Sequence, residues 1–406
     1  MSNLDQLDKA EMCNITSVFY NSKNKLMHKL TIYPIGNADC IQIQLQNEKR
    51  ALFDYADMHD PEDKQDRRCD LGKEIRESLE EDDHDSFSIV AFTHLDEDHT
   101  KRASEFFEFE YAKSLQGDGR IKIDTLWVPA AAITEENLDK EDAKRIQKEA
   151  RYRFKNGKGI RVFSRPKRLE EWCRKNNVNF EERKHLITDA GNLAPEFTLE
   201  EDGVEFFVHS PFAKRLNENE VEDRNQDAIV MQATFEVDGV KTRAHFMGDA
   251  TYDVLQDIVA ITESRKRTER LEWDVCKLPH HCSYLSLSEE KGDDKTSPEL
   301  EIKRLYEDYS QAGAIIISTS KPIPKKGSDE DSDKQPPHRQ AANYYKDDAV
   351  KKRKGEFHVT MEHPTESAPK PIIIQIDGSK ATVLKRAASI GAAAIGTSAP
   401  RAGSGW

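Results

Sequence analysis

No stretch of this chain approaches the roughly twenty consecutive apolar residues that a membrane-spanning helix needs. Cysteine is sparse and scattered: Cys13, Cys40, Cys69, Cys173, Cys276 and Cys282 include no CxxC pair. That excludes a zinc ribbon and a disulfide framework and predicts a reduced, cytoplasmic setting. Positive charge is in deficit. With 61 Lys and Arg against 75 Asp and Glu, the net charge is −14. Such a surface cannot bind nucleic acid indiscriminately, although a local basic groove stays open. The first residues, MSNLDQLDKAEM, are polar and acidic, so no signal peptide is expected.

What is present is a polar but globular chain. Hydrophobic residues make up 36% and charged residues 33% of 406 positions. This length suits one large αβ domain or two smaller ones. Residues 1–27 read as an N-terminal extension, 28–385 as the main domain and 386–406 as a flexible, small-residue-rich tail. In 29–45, Ile41, Ile43 and Leu45 alternate with Gln42 and Gln44, the pattern of a half-buried strand. Further strands are predicted at 51–56, 86–94, 123–131, 204–211, 228–237, 242–250, 273–281, 312–320, 357–363 and 371–379. Amphipathic helices are predicted at 71–81 and 252–262. The run of elements predicts an α/β fold with two mixed sheets face to face and helices outside.

Residues 132–200 read as a polar, largely helical insertion. Within it, 144–168 carries many Lys and Arg and one acid, Glu149. This is either a solvated helix and loop or an arm that contacts phosphate over the active site.

The chemistry concentrates in Thr93-His94-Leu95-Asp96-Glu97-Asp98-His99, directly after the apolar strand SIVAF. An extended turn there points His94, Asp96 and Asp98 to one side, with His99 following. Imidazole and carboxylate are the usual ligands of divalent ions in hydrolysis. Other candidate groups follow in order. They are Gly36-Asn37-Ala38-Asp39, Leu52-Phe53-Asp54, Asn225-Gln226-Asp227, Phe246-Met247-Gly248-Asp249, Lys277-Leu278-Pro279-His280-His281-Cys282-Ser283, and Pro337-His338 after a late apolar strand.

Together these motifs resemble the metallo-β-lactamase superfamily, whose first metal motif is HxHxDH. They resemble most the hydrolase domain of ComEC-type DNA-uptake proteins, where the second His is typically Asp. The likeness runs in order from about residue 29 to 380. It departs from the pattern at Cys282, where glycine is usual, at Ala228, where serine is usual, and in the long 130–200 segment. Membrane channel segments are missing, so DNA uptake itself is not implied.

The resemblance implies a metallo-β-lactamase αββα sandwich and two divalent ions (Mn²⁺, Zn²⁺ or Mg²⁺). His94 and Asp96 would hold the first ion, Asp98 and His99 the second, and Asp249 would bridge. His280 would complete the second site, and His281 would touch substrate phosphate or orient a ligand, with the choice between these neighbours left open. His209, Asn225 and Asp227 are candidates for a third ligand of the first ion. Asp98, His281 and His338 are the expected catalytic residues, with His338 as general acid or phosphate contact. Ser283, Asn225 and Lys277 are the expected substrate contacts, while Asp39 and Asp54 orient ligands and loops. Asp96 in place of His makes the site harder and shifts it towards Mn²⁺ or Mg²⁺.

The expected function is a metal-dependent phosphodiesterase or nuclease that cleaves DNA. Hydrolysis of a small molecule (a cyclic nucleotide, phosphoester or lactone) is the second reading, and a degraded site kept as a binding module the third. A partner protein in a multi-component system is also anticipated.

Overall fold

The computed structural model describes residues 27–117, 119–212 and 227–384. Apart from Met27, the expected N-terminal extension lies outside these residues. So do the tail, Cys13 and Asn225.

Sixteen strands among the described residues form two mixed sheets. The first seven are β1 (His28–Ile32), β2 (Ile41–Gln44), β3 (Arg50–Phe53), β4 (Ser86–Ala91), β5 (Lys122–Pro129), β6 (Ile160–Phe163) and β7 (Ile187–Thr188). The next seven are β8 (Leu193–Ala194), β9 (Val204–Ser210), β10 (Val230–Val237), β11 (Val240–Phe246), β12 (Trp273–Lys277), β13 (Ser310–Ser318) and β14 (Glu356–Val359). The last two are β15 (Ile372–Ile376) and β16 (Ala381–Val383). One sheet runs β16-β15-β1-β2-β3-β4-β5-β6-β7 and the other β14-β13-β12-β11-β10-β9-β8.

The inner faces of the sheets make one apolar core, in which Phe53 stacks on Phe246 with ring centroids 4.9 Å apart. Phe206 and Trp127 extend the same aromatic layer. Helices cover the outer faces. Leu71, Ile75 and Leu79 recur every four residues and are the buried stripe of Leu71–Glu80. Asp70 caps that helix by accepting the Lys73 N–H at 3.1 Å. On the other sheet, Val254, Leu255, Ile258 and Val259 of Tyr252–Ser264 pack with Ile302 and Leu305. The architecture is thus helix, sheet, sheet, helix, as the order of apolar segments predicts.

The segment anticipated as an insertion over 132–200 is largely part of this scaffold. β6 joins β5 in parallel and β7 joins β6, so the segment extends the first sheet by two strands. The four residues Ile160–Phe163 are all buried and too short to show a period, which is why they read as helix surroundings. Helix Glu141–Asn156 packs Ala143, Ile146, Ala150 and Phe154 into the core beneath.

Of the eleven cations of 144–168, five arginines are held by partners in this scaffold. Arg153 is buried, 2.6 Å from the Glu149 carboxylate, and donates to the carbonyls of Ile123 and Gly159. Arg145 meets Glu141, Arg161 meets Glu196, and Arg165 meets Asp189. Arg151 donates to the carbonyl of Ile133. The phosphate-contacting arm therefore loses part of the charge on which it rested.

Strand direction positions the site. β3 and β4 are parallel, as are β11, β12 and β13. Their carboxyl ends form one rim, and Asp54, His94, Asp249, His281 and Thr319 all follow these strand ends within a few residues. The sheets are tied together at that rim. The Ile229 N–H, just ahead of β10, donates to the Thr93 carbonyl after β4 at 3.0 Å, while within the first sheet's own loops the Asp39 N–H donates to the Asp98 carbonyl at 3.0 Å.

Candidate metal centre

Two groups of possible ligands share one residue. Asp98, His99, Asp249 and His281 each bring one ligand atom within 4.8 Å of the others, and so do His94, Asp96 and Asp98. A third group, Asp39, Asp54 and His99, lies behind the first. His94, His99, Asp249 and His281 are buried, whereas the carboxyls of Asp96 and Asp98 are about one-third exposed. The carboxylates of the motif thus stand at the mouth and the imidazoles at the floor.

The apolar strand β4 drives this layout. Ile89, Val90 and Ala91 bury the chain on both faces up to the turn. Thr93 then anchors the turn. Its N–H and hydroxyl both donate to Asp54, each at 2.7 Å, and its oxygen lies 3.2 Å from His94 Nδ1. Asp54 Oδ2 also sits 2.9 Å from His99 Nδ1, which leaves His99 Nε2 facing Asp249 Oδ1 at 3.3 Å. His281 is fixed the same way. Its Nδ1 is 2.8 Å from the Thr319 carbonyl, so that nitrogen donates and Nε2 faces Asp98 Oδ2 at 3.0 Å. A ligating imidazole needs this kind of hold on its second nitrogen.

Electrostatics within the group are strong. Burial opposes charging His99, but Asp54 and Asp249 outweigh it and hold its pKa well above the usual range. Burial likewise opposes charging His281, and Asp249 and Asp98 reverse that. Asp249 is desolvated, yet His281 and His99 hold its carboxyl well below its ordinary range. For His94, burial and then His99 push the pKa down. Protons thus occupy positions where a cation would compete for the same donors.

The residues fit a divalent ion. His94 Nε2 is buried without a hydrogen-bond partner among the described residues, an expensive arrangement unless something else engages it. Three imidazoles and three carboxylates make a mixed nitrogen and oxygen donor set suited to Mn²⁺ or Zn²⁺.

Other expected site residues fall elsewhere. His280 was the expected ligand of the LPHH segment, but His281 is the one that joins the group. The His280 ring is 6.3 Å from that of His281, and its backbone N–H donates to Asp249 at 3.2 Å. The cause is local. His280, His281 and Cys282 all have positive φ, at 47°, 52° and 66°, so the chain turns sharply and the neighbouring rings diverge. Cys282 thereby adopts a conformation that glycine takes without strain.

His209 lies away from the group. Its Nε2 is bonded to the Arg270 carbonyl at 2.9 Å, and its ring packs edge-on to Phe207. Asp227 is buried two residues ahead of Ile229 and belongs to none of the ligand groups. Asn225 lies outside the described residues. Lys277, an expected substrate contact, is buried and paired with Asp39, and it donates to the Gly248 carbonyl at 3.0 Å. Ser283 is buried too and caps a short turn by accepting the Leu285 N–H at 3.2 Å.

His338 is buried beside Tyr284, whose N–H lies 3.3 Å from its Nδ1. Burial, then Lys291, push its pKa down to about 4.

Thr93 and Thr319 were missed by sequence reasoning. Thr93 had a signal, since it directly precedes His94. Thr319 had none, because its carbonyl reaches His281 and its hydroxyl reaches Asp39 only through the fold.

No protein-family model matches the chain, and no curated protein sequence matches it. The two mixed sheets and the buried His/Asp cluster are compatible with a metallo-β-lactamase-like fold.

Proposed function

We propose that the protein is a metal-dependent hydrolase that cleaves phosphodiesters, with DNA as the leading substrate. One observation carries the reading: Asp98 belongs to two ligand groups at once, so two cations can sit side by side around it. His94, Asp96 and Asp98 would hold one ion, and Asp98, His99, Asp249 and His281 the other. When bound, such a pair lowers the pKa of water and offsets charge on the attacking and leaving oxygens of an in-line displacement.

The chain's own groups do the rest. Asp54 and the Thr319 carbonyl hold His99 and His281 in fixed tautomers. The Asp39–Lys277 pair ties the Gly36–Asp39 turn to the end of β12 and keeps the rim in register. With its pKa pushed down to about 4, His338 is neutral near pH 7. This supports a hydrogen-bonding contact to substrate over a general-acid role.

A second reading, a small phosphoester substrate, is favoured by the commitment of five 144–168 arginines to packing.

The test compares wild type with Asp98→Asn on single-stranded DNA, plasmid and bis(p-nitrophenyl) phosphate, with Mn²⁺ or with EDTA. Metal-dependent cleavage of DNA by wild type alone supports the proposal. Cleavage of the small diester alone moves the substrate to the second reading. If none of the three is cut while Mn²⁺ binds tightly, the phosphodiesterase reading fails.

A further inference from the structure

A groove of about 1080 Å³ lies beside the candidate metal centre, between the 63–68 loop, the 321–322 turn and residues 361–367. It is linked to the centre along the chain, by residues two positions from its walls. Its wall includes Asn37, two residues before Asp39, whose N–H donates to the Asp98 carbonyl. Its opposite wall includes Lys321, two residues after Thr319, whose carbonyl holds His281. The Lys321 N–H donates to Asn37 Oδ1 at 2.9 Å and closes the walls together.

The groove differs from the 144–168 stretch in where its cations stand. Lys64 and Lys321 are exposed, and neither forms an ion pair or a side-chain hydrogen bond among the described residues. Arg67 is exposed and, among the described residues, meets a backbone carbonyl, that of Glu366 at 3.2 Å. Three acids also line the groove, Asp63, Asp66 and Glu366; Asp66 is taken up by Arg68 and by the Asp60 N–H, and Asp63 accepts the Gln65 N–H at 2.9 Å. Met58 and Pro322 add half-buried apolar surface between these cations.

We infer that this groove holds an unpaired nucleic-acid strand as it leaves the metal centre. Lys64, Arg67 and Lys321 grip phosphates, and bases lie over Met58 and Pro322. Cations spaced along an apolar floor suit an unpaired strand, because a duplex hides its base faces and offers phosphates alone. The inference rests on the nucleic-acid form of the proposed function. It also explains how a chain of net charge −14 can hold a polyanion, by a local groove instead of its whole surface.

The test is binding in EDTA, where cleavage is stopped. A fluorescent oligothymidylate is titrated with wild type and with Lys64→Glu/Lys321→Glu over a range of KCl, and hydrolysis of bis(p-nitrophenyl) phosphate with Mn²⁺ is measured separately. The double variant is expected to bind at least tenfold more weakly. Its log-affinity slope against log salt should be shallower by about one to one and a half. Small-diester hydrolysis should be unchanged, which also shows that the variant is folded. Lys148→Glu/Arg168→Glu is expected to bind as wild type does. Equal binding by the Lys64/Lys321 variant overturns the groove, and so does absence of binding by wild type. Loss of diester hydrolysis in that variant as well would mark the loops as structural, and Lys64→Ala/Arg67→Ala then has to weaken binding alone for the inference to stand. Failure of wild type to hydrolyse either the diester or DNA with Mn²⁺, with oligonucleotide binding intact, would instead sink the catalytic reading and leave the groove.

Discussion

Asp54 Oδ2 lies 2.9 Å from His99 Nδ1, linking the end of β3 to the last residue of the HxDxDH motif. Asp54 occupies a left-handed conformation, φ 57°, which asparagine also tolerates. Asp54→Asn therefore keeps the backbone turn but removes the charge that orients His99, together with one of the two carboxylate oxygens that accept from Thr93. Mn²⁺ affinity, measured by titration calorimetry, is expected to fall by about 10- to 100-fold. An unchanged affinity would show that the Asp54–His99 pair serves folding alone.

The two adjacent histidines separate in their consequences. His281→Ala is expected to lower the metal content found by elemental analysis after equilibration with Mn²⁺, because its Nε2 faces Asp98 and Asp249. His280→Ala should retain that content, since its ring is outside the ligand groups. The reverse outcome would refute the arrangement of the 280–282 turn.

The buried pair Glu149–Arg153 tests the expected insertion as scaffold. Glu149 is fully buried and also accepts the Tyr111 N–H at 3.0 Å. Glu149→Gln leaves the buried guanidinium short of a carboxylate, with Glu110 3.1 Å away as partial compensation. Urea unfolding should show a loss of about 3 kcal/mol, the low end for breaking one side of a buried pair. A change under 1 kcal/mol, on the scale of an exposed pair, would mean that the segment is peripheral.

Acid should destabilise the fold through histidines away from the metal groups. Burial pushes the pKa of His28 and His209 down to about 4 and that of His245 down to about 3. Each is neutral when folded and protonates near 6.5 when unfolded. Their stabilising effect is therefore complete above that value and is lost as pH falls towards 4. The loss should be about 1.4 kcal/mol per histidine for each pH unit in that window. Urea midpoints at pH 7 and 5 measure it. His209→Asn should lose less than wild type on acidification, and an equal loss would contradict the burial effect.

Much of the site was legible because its signal is local. Four of the ligand candidates lie within six residues after one buried strand, although Asp98 and His99 stand on the short helical turn Glu97–Thr100 instead of the extended turn that the alternation implied. The order of apolar segments likewise implied two sheets with helices outside. Ile160–Phe163 was not legible as a strand, because four buried residues carry no period and only pairing with β5 defines them. His209 looked plausible as a ligand by residue type, but its strand turns it to the Arg270 carbonyl.

The sequence by itself determined the residue types at the site, their order and the strand-end position of HxDxDH, because these depend on chain spacing and burial alone. Tertiary structure decided which partners meet. It chose His281 over His280 through three consecutive positive φ angles. It also drew Lys277 onto Asp39, a residue 238 positions away, since a buried ammonium is tolerable only beside a carboxylate. Such a choice depends on which surfaces pack together, and no local pattern records that.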